Sequence, residues 1–340
     1  MFSRPATKKD IKKILGLIDK AQSIAITCHV KPDGDAIGAT LALWHILVRL
    51  GKKVDVITPD TPPRYLKFLP GTDDIIAYSS NEEFGNEVLS TADLIFCLDF
   101  NAAYRVDRME TSLREAPAAK IMIDHHLDPE DFGQIAISEP SDSSTCFLLF
   151  KIFCQFGWRQ LIDKDTAMCL AAGMMTDTGN FSYNANDPEV YLAMAVLLKT
   201  GIDKVGIWER LNVKSENQLR LTGFALEKKL ELYDDGHAAL IALTTEELDR
   251  FKYQKGDLEG LVNVPLQIPA VNISVLMHQE PTFIKVSMRS QGNLAVNTIC
   301  EKYFSGGGHR NAAGGEFKGT MDDCKKIFLK ALDEKQDITI

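Results

Sequence analysis

Eight residues in four short stretches have side chains of the types that bind divalent metals. They are His29, Asp33 and Asp35 in HVKPDGDAIG (29–38), Asp99 in LDF, Asp124, His125 and His126 in IDHH, and Asp177 in TDTGNF. Carboxylates and imidazoles without thiolates favour Mn²⁺, with Mg²⁺, Fe or Co²⁺ as alternatives. Two such cations about 3.5–4 Å apart, sharing one carboxylate, lower the pKa of a bridging water. They also neutralise the charge that builds on a phosphoryl group during displacement. The inventory therefore points to metal-assisted attack of hydroxide on a phosphate.

Taken one at a time, these stretches have plain structural readings. A D-x-D pair makes a solvated turn, adjacent histidines can be one packed and one exposed, and Asp before Thr-Gly caps a loop. Their placement argues for a shared site. The apolar run SIAITC (23–28) leads into His29, Asp33 and Asp35, DLIFCLD (93–99) ends at Asp99, and AKIMID (119–124) ends at Asp124 before the two histidines. With KVDVIT and the helical periodicity of AIGATLALWHILVRLG, which stops at Gly51, the first half alternates β and α units. That pattern predicts an α/β, doubly wound domain with a mainly parallel sheet. In such sheets ligands bind at the carboxyl ends of the strands, so side chains that follow three different strands converge. Gly34 is expected to let the chain bend between the two carboxylates, and Gly38 to let the following helix pack close to the strand ends.

From about 143 to 233 the pattern is mainly helical, through SSTCFLLFKIFCQFG, DKDTAMCLAAGMM, PEVYLAMAVLLKTG and NQLRLTGFALEKKLELY. Strand-like runs return in AALIALT (238–244), NISVLMH (272–278) and FIKVSMRS (283–290), and a helical VNTICEKYF leads into SGGGHRNAAGG. The expected organisation is a catalytic domain over 1–190, a helical linker over 191–230, and a smaller C-terminal α/β domain with a mixed sheet over 231–340.

The chain has 340 residues and a net charge of -9, which argues against gripping long duplex nucleic acid. Seven scattered cysteines with no C-x-x-C read as reduced core thiols of a cytoplasmic protein. The N-terminal MFSRPATKKDIKKILGLIDK reads as a short amphipathic helix, not a signal peptide, and no stretch has the length of a membrane span.

The five motifs HVKPDGDAIG, LDF, DHH, TDTGNF and GGGHRNAAGG (306–315), in this order, resemble those of the DHH family of phosphoesterases. The length and the C-terminal glycine motif point to its two-domain branch, which includes the bacterial nanoRNases that act as oligoribonucleases and pAp phosphatases. The resemblance implies that His29, Asp33 and Asp99 hold one Mn²⁺, and that Asp35, Asp99, His125 and Asp177 hold the other, with Asp99 bridging. It places His126 just outside the metals, facing the scissile phosphate, and gives Asp124 a supporting role toward a histidine or the turn. Phe100 is expected to lie beside the metals. It departs from the small residues common there, as Ala39 and Ser305 depart from a serine and a glycine.

The same resemblance assigns substrate binding to the C-terminal domain. Gly306, Gly307 and Gly308 would let backbone N–H groups approach a phosphate, with His309 and Arg310 adding donors. Arg289 would grip a substrate phosphate through its planar fork, and Arg105 is a weaker candidate for the same task. The implied partners are short single-stranded RNA, linear dinucleotides or pAp. No membrane is expected, and a homodimer is allowed. The alternatives are an inorganic pyrophosphatase or exopolyphosphatase using the same metals, and a non-catalytic nucleotide-binding protein.

Overall fold

Near-continuous apolar strands can only be buried if helices cover both faces of their sheet, and the first unit is built this way. The structure, a computed structural model, describes residues 2–334. The chain divides between Val213 and Lys214 into two compact units. The sheet of the first unit contains β1 (Ser23–Thr27), β2 (Lys53–Thr58), β3 (Ile76–Ala77), β4 (Leu94–Leu98), β5 (Ala119–Asp124) and β6 (Ile135–Ser138). Their order is β3-β2-β1-β4-β5-β6, with every pairing parallel.

Alternate residues of each strand enter different cores. Ile24, Ile26, Phe96, Leu98, Ile121 and Ile123 pack with α1 (Lys8–Lys20), α2 (Gly34–Arg49), α5 (Thr145–Gln155), α6 (Lys164–Asp177), α7 (Pro188–Leu198) and α8 (Lys204–Leu211). Ala25, Ile95, Cys97 and Met122 pack on the other side with α3 (Glu82–Thr91) and α4 (Glu110–Glu115). The strand order reverses between β1 and β4, and a crevice opens beyond the carboxyl ends of strands at such a switch point. Edge strands β3 and β6 escape the sequence reading because they are only two and four residues long.

The second unit contains α9 (Glu216–Phe224), β7 (Leu230–Tyr233), β8 (Ala238–Leu243), α10 (Thr245–Arg250), β9 (Ile273–Gln279), β10 (Ile284–Ser290), α11 (Val296–Tyr303), β11 (Gly307–His309), β12 (Ala312–Phe317) and α12 (Met321–Asp333). Its sheet runs β11-β12-β10-β9-β8-β7, and β8 pairs β9 in parallel while the other pairs are antiparallel, so the sheet is mixed. One face packs α11 and α12, and the other packs α9, α10 and a 3₁₀ segment over Leu261–Gln267.

One reading of the sequence is corrected here. LELY does not continue the helix of NQLRLTGFALEKK. After a π-helical turn over Ala225–Lys229 it becomes β7, because the edge of β8 offers a pairing that outweighs local helical pattern. GGGHRNAAGG forms the hairpin β11–β12, turning at Arg310 and Asn311. The stretch 191–230 is shared by the units, with α7 and α8 in the first and α9 in the second. Among the described residues, no helix is long and apolar enough to cross a membrane.

Candidate metal centre

The stretch 29–38 leaves β1, turns at Lys31 with a left-handed φ of 53°, and enters α2. Asp33 is the helix cap, and its Oδ1 accepts the N–H groups of Asp35 and Ala36, each at 3.0 Å. Asp35 lies in the first helical turn and is fully buried. Gly34 and Gly38 serve a different need from the one expected. Neither has a positive φ. A Cβ on Gly34 would stand 2.4 Å from the Thr176 side chain, and one on Gly38 would stand 2.5 Å from the Cys169 carbonyl oxygen. Both glycines thus let α2 lie against α6, the helix that ends in Asp177.

Asp99 follows β4 with a φ of 63°, in the left-handed region that most side chains avoid. Its N–H donates to the Ile123 carbonyl at 3.1 Å, so the neighbouring strand holds it there. Such local strain persists where surrounding structure enforces it. Asp124 closes β5 and is fully buried. Its two oxygens accept the backbone N–H and the Nδ1–H of His126, both at 2.7 Å.

The side chains converge. His29 Nε2 lies 3.4 Å from Asp99 Oδ2 and 3.9 Å from Asp33 Oδ1. His125 Nε2 lies 3.2 Å from Asp177, 3.7 Å from Asp99 Oδ1 and 4.0 Å from Asp35. The two oxygens of Asp99 therefore address two different histidines. Backbone carbonyls select the facing nitrogens: His29 Nδ1 donates to the Val30 carbonyl at 2.8 Å, and His125 Nδ1 to that of Asp142 at 3.1 Å. His29, Asp33 and Asp99 form one group with ligand atoms close enough to hold a metal ion, and Asp35, His125 and Asp177 form another. Asp99, His125 and His126 form a third such group.

The N-terminus of α5 completes the site, and the sequence reading missed it. Ser144 caps the helix by accepting the Phe147 N–H at 3.0 Å. The Thr145 and Cys146 N–H groups donate to Asp35 at 2.6 and 2.9 Å, and the Thr145 hydroxyl donates to Asp99 Oδ1 at 2.8 Å. The signal present was SST before an apolar helical run, a capping pattern. Only tertiary contact shows that the capped end meets two aspartates. Gly173 faces the same place, where a Cβ would stand 2.3 Å from Cys146 Sγ and 2.7 Å from Asp35 Oδ1. Gly173→Ala is therefore expected to destabilise the fold by about 1–3 kcal/mol through overpacking. Urea denaturation measures this, and an unchanged midpoint would contradict the packing described.

Without cations the cluster holds protons. Burial, then the charges of Asp177 and Asp99, raise the pKa of Asp35 well above the usual carboxylate range. Burial lifts Asp177 to about 7 although its bond to His125 opposes the shift. Burial disfavours charge on His29 and His125, but the facing carboxylates outweigh it, raising His29 well above its ordinary value and His125 to about 11. Asp99 moves down: burial opposes ionisation, but the His29 bond and the charges of the three histidines prevail.

Other expected site residues lie elsewhere. Phe100 does not border the cluster. Its ring is fully buried on the α3/α4 side of the sheet and stacks on Phe132 at 5.8 Å, because the left-handed backbone at Asp99 ends the alternation of β4, which would have put Phe100 on the Leu98 side. Arg105 is half-buried, and its carbonyl accepts the Val30 N–H at 2.7 Å, which brings its backbone against the 29–38 stretch. In the second unit Ala312 is the direct cross-strand partner of Arg289 on one side and His309 on the other, so the two basic residues share one row. Arg310 occupies the hairpin turn and donates to the Asn293 carbonyl at 3.0 Å. Gly306 and Gly308 are required by backbone packing, since Cβ atoms there would stand 2.0 Å from the Gly314 oxygen and 2.6 Å from the Ala312 oxygen. A Cβ on Gly307 would meet nothing closer than 3.9 Å.

The comparisons with known proteins agree with this architecture. The protein named bifunctional oligoribonuclease and PAP phosphatase NrnA of Thermus thermophilus is 30% identical over 317 residues, 92% of this chain and 90% of that one. A crystal structure of an exopolyphosphatase-related protein from Bacteroides fragilis superimposes with a TM-score of 0.96 at 44% identity, covering 99% of each chain. The exonuclease RecJ bound to manganese shares the fold, with a TM-score of 0.53 at 15% identity over 96% of this chain and 94% of that one. This fold and this site define a hydrolase acting on phosphoester bonds. The DHH family N-terminal domain matches residues 23–174 and the DHHA1 domain matches residues 238–336. The chain belongs to the DHH family of phosphoesterases, a metal-dependent family.

Proposed function

We propose that the chain hydrolyses short oligoribonucleotides and linear dinucleotides to mononucleotides, and pAp to AMP, with a pair of Mn²⁺ ions. The observation that carries this reading is the meeting of His29, Asp33, Asp35, Asp99, His125 and Asp177 around one point, with Asp99 between two histidines. The donor set is oxygen and imidazole nitrogen, which suits Mn²⁺ and also admits Mg²⁺ or Co²⁺. His29, Asp33 and Asp99 would hold one cation, and Asp35, Asp99, His125 and Asp177 the other. Bound there, the pair would supply an activated water and positive charge facing the phosphate. His126 is clamped by Asp124 through Nδ1 and the backbone, so its ring orientation is set. It would donate a hydrogen bond or proton to a phosphate oxygen. Arg289, the glycines of the β11–β12 hairpin, His309 and Arg310 would bind substrate phosphate, with Arg105 a weaker candidate. The names of curated relatives support the nucleotide reading. We place the activity in the cytoplasm, in keeping with its scattered free cysteines.

The name of the 44% identical Bacteroides fragilis relative favours a second reading, hydrolysis of inorganic polyphosphate at the same centre. The two separate in one experiment. The Mn²⁺-loaded protein is offered a 5′-labelled dinucleotide, a longer RNA, pAp, linear di-adenylate, pyrophosphate and polyphosphate side by side. Turnover highest on the dinucleotide or pAp is expected, and preference for pyrophosphate or polyphosphate reverses the ranking.

Cation binding is also expected to release protons. The ligands would bind as neutral imidazoles and ionised carboxylates, whereas the raised pKa values of His29, His125, Asp35 and Asp177 keep protons on the cation-free cluster near neutral pH. Affinity should therefore rise with pH. Calorimetric titration with Mn²⁺ at pH 7 in two buffers of different ionisation enthalpy should show release of about one proton or more. Identical heats in both buffers would contradict it.

A further inference from the structure

One residue joins the two carboxylates that face the two sides of the cluster. Thr145 is fully buried at the start of α5. Its N–H donates to Asp35 Oδ2 at 2.6 Å while its hydroxyl donates to Asp99 Oδ1 at 2.8 Å. Branching at Cβ restricts χ1 of a threonine to few rotamers, and the 2.8 Å bond to Asp99 marks the one taken here. Asp99 has the opposite problem. A carboxylate can turn about its terminal torsion, which is broad. Its oxygens nevertheless divide, with Oδ2 at 3.4 Å from His29 Nε2 and Oδ1 at 3.7 Å from His125 Nε2. The Thr145 hydroxyl is the neutral donor that identifies Oδ1 as the oxygen on the His125 side.

We propose that Thr145 is a positioning residue whose hydroxyl fixes the plane of the Asp99 carboxylate, so that one oxygen is kept for each of two cations. This rests on the two-cation reading above. The first cation position, with His29 and Asp33, would draw on Asp99 Oδ2, the oxygen nearer His29, and should not depend on Thr145. The second, with Asp35, His125 and Asp177, would depend on the hydroxyl through Asp99 Oδ1, while the backbone N–H bond to Asp35 is kept in every variant.

The test is a titration with Mn²⁺ alone, read by calorimetry and by the spin-coupled electron paramagnetic resonance signal of a Mn²⁺ pair. The wild-type chain should bind two ions. Thr145→Val should keep one site near wild-type affinity, weaken the other by about 10–100-fold, and lose the coupled signal at intermediate Mn²⁺. Its kcat on pAp should fall by a similar factor, with KM changed by no more than about twofold. Thr145→Ser should restore most of both. Thr145→Ala carries the same expectation as valine and replaces it if the valine variant does not fold. Two unaltered Mn²⁺ sites in the valine or alanine variant, or no recovery in serine, overturns the proposal. A wild-type chain that binds fewer than two Mn²⁺ overturns the two-cation reading itself.

Discussion

Asp99→Asn is expected to lower hydrolysis by on the order of 10³-fold or more while leaving the fold intact. Asp99 is the carboxylate with one oxygen toward His29 and the other toward His125, so its charge serves both sides of the cluster. An amide keeps the volume but removes the charge and one acceptor. Asparagine is also the substitution the backbone tolerates best, because Asp99 has a φ of 63° and asparagine visits the left-handed region readily. Asp99→Ala should be equally inactive and less stable by about 1–2 kcal/mol, since alanine at that φ is strained. Steady-state turnover of pAp and a dinucleotide, with circular dichroism as a control for folding, tests this. Near-normal turnover in a folded Asp99→Asn protein would remove the two-cation model.

His126→Ala should reduce kcat by about 10²–10³-fold yet leave cation binding within about tenfold of wild type. The contrast with Asp99 arises from geometry. His126 gives its Nδ1–H to Asp124 at 2.7 Å and stands 3.8 Å from Asp99, with its ring edge-on to that of His125 at 4.9 Å. It is thus held against the cluster by a buried carboxylate while its neighbour His125 faces Asp35, Asp99 and Asp177. The proposed division gives the carboxylates to His125 and the substrate to His126. Equal loss of Mn²⁺ affinity in His125→Ala and His126→Ala would refute this division.

The resemblance to a family carried the set of ligands because each lies in a compact local motif, and three of those motifs follow apolar strands that a parallel sheet must bring to one edge. The glycines show the limit of such reading. Gly34 and Gly38 read in the sequence as a bend and a close approach to the strand ends, and Gly173 carries no signal of its own. Their partners, Thr176, the Cys169 carbonyl and Cys146, belong to other elements. The same holds for Phe100, placed beside Asp99 by the chain and turned to the α3/α4 side by the left-handed backbone at Asp99.

By itself the sequence determined the alternation of strand and helix in the first unit, the types and places of the candidate ligands, and the return of strands in the second unit. These follow from periodicity and motif spacing, which are local properties. Only the tertiary structure decided that α5 presents its first turn to Asp35 and Asp99, that LELY and GGGH join sheet edges, and that Asp99 divides its oxygens between two histidines. Each depends on pairing or close approach between segments far apart in the chain, where free edges, buried donors and shape outweigh local preference.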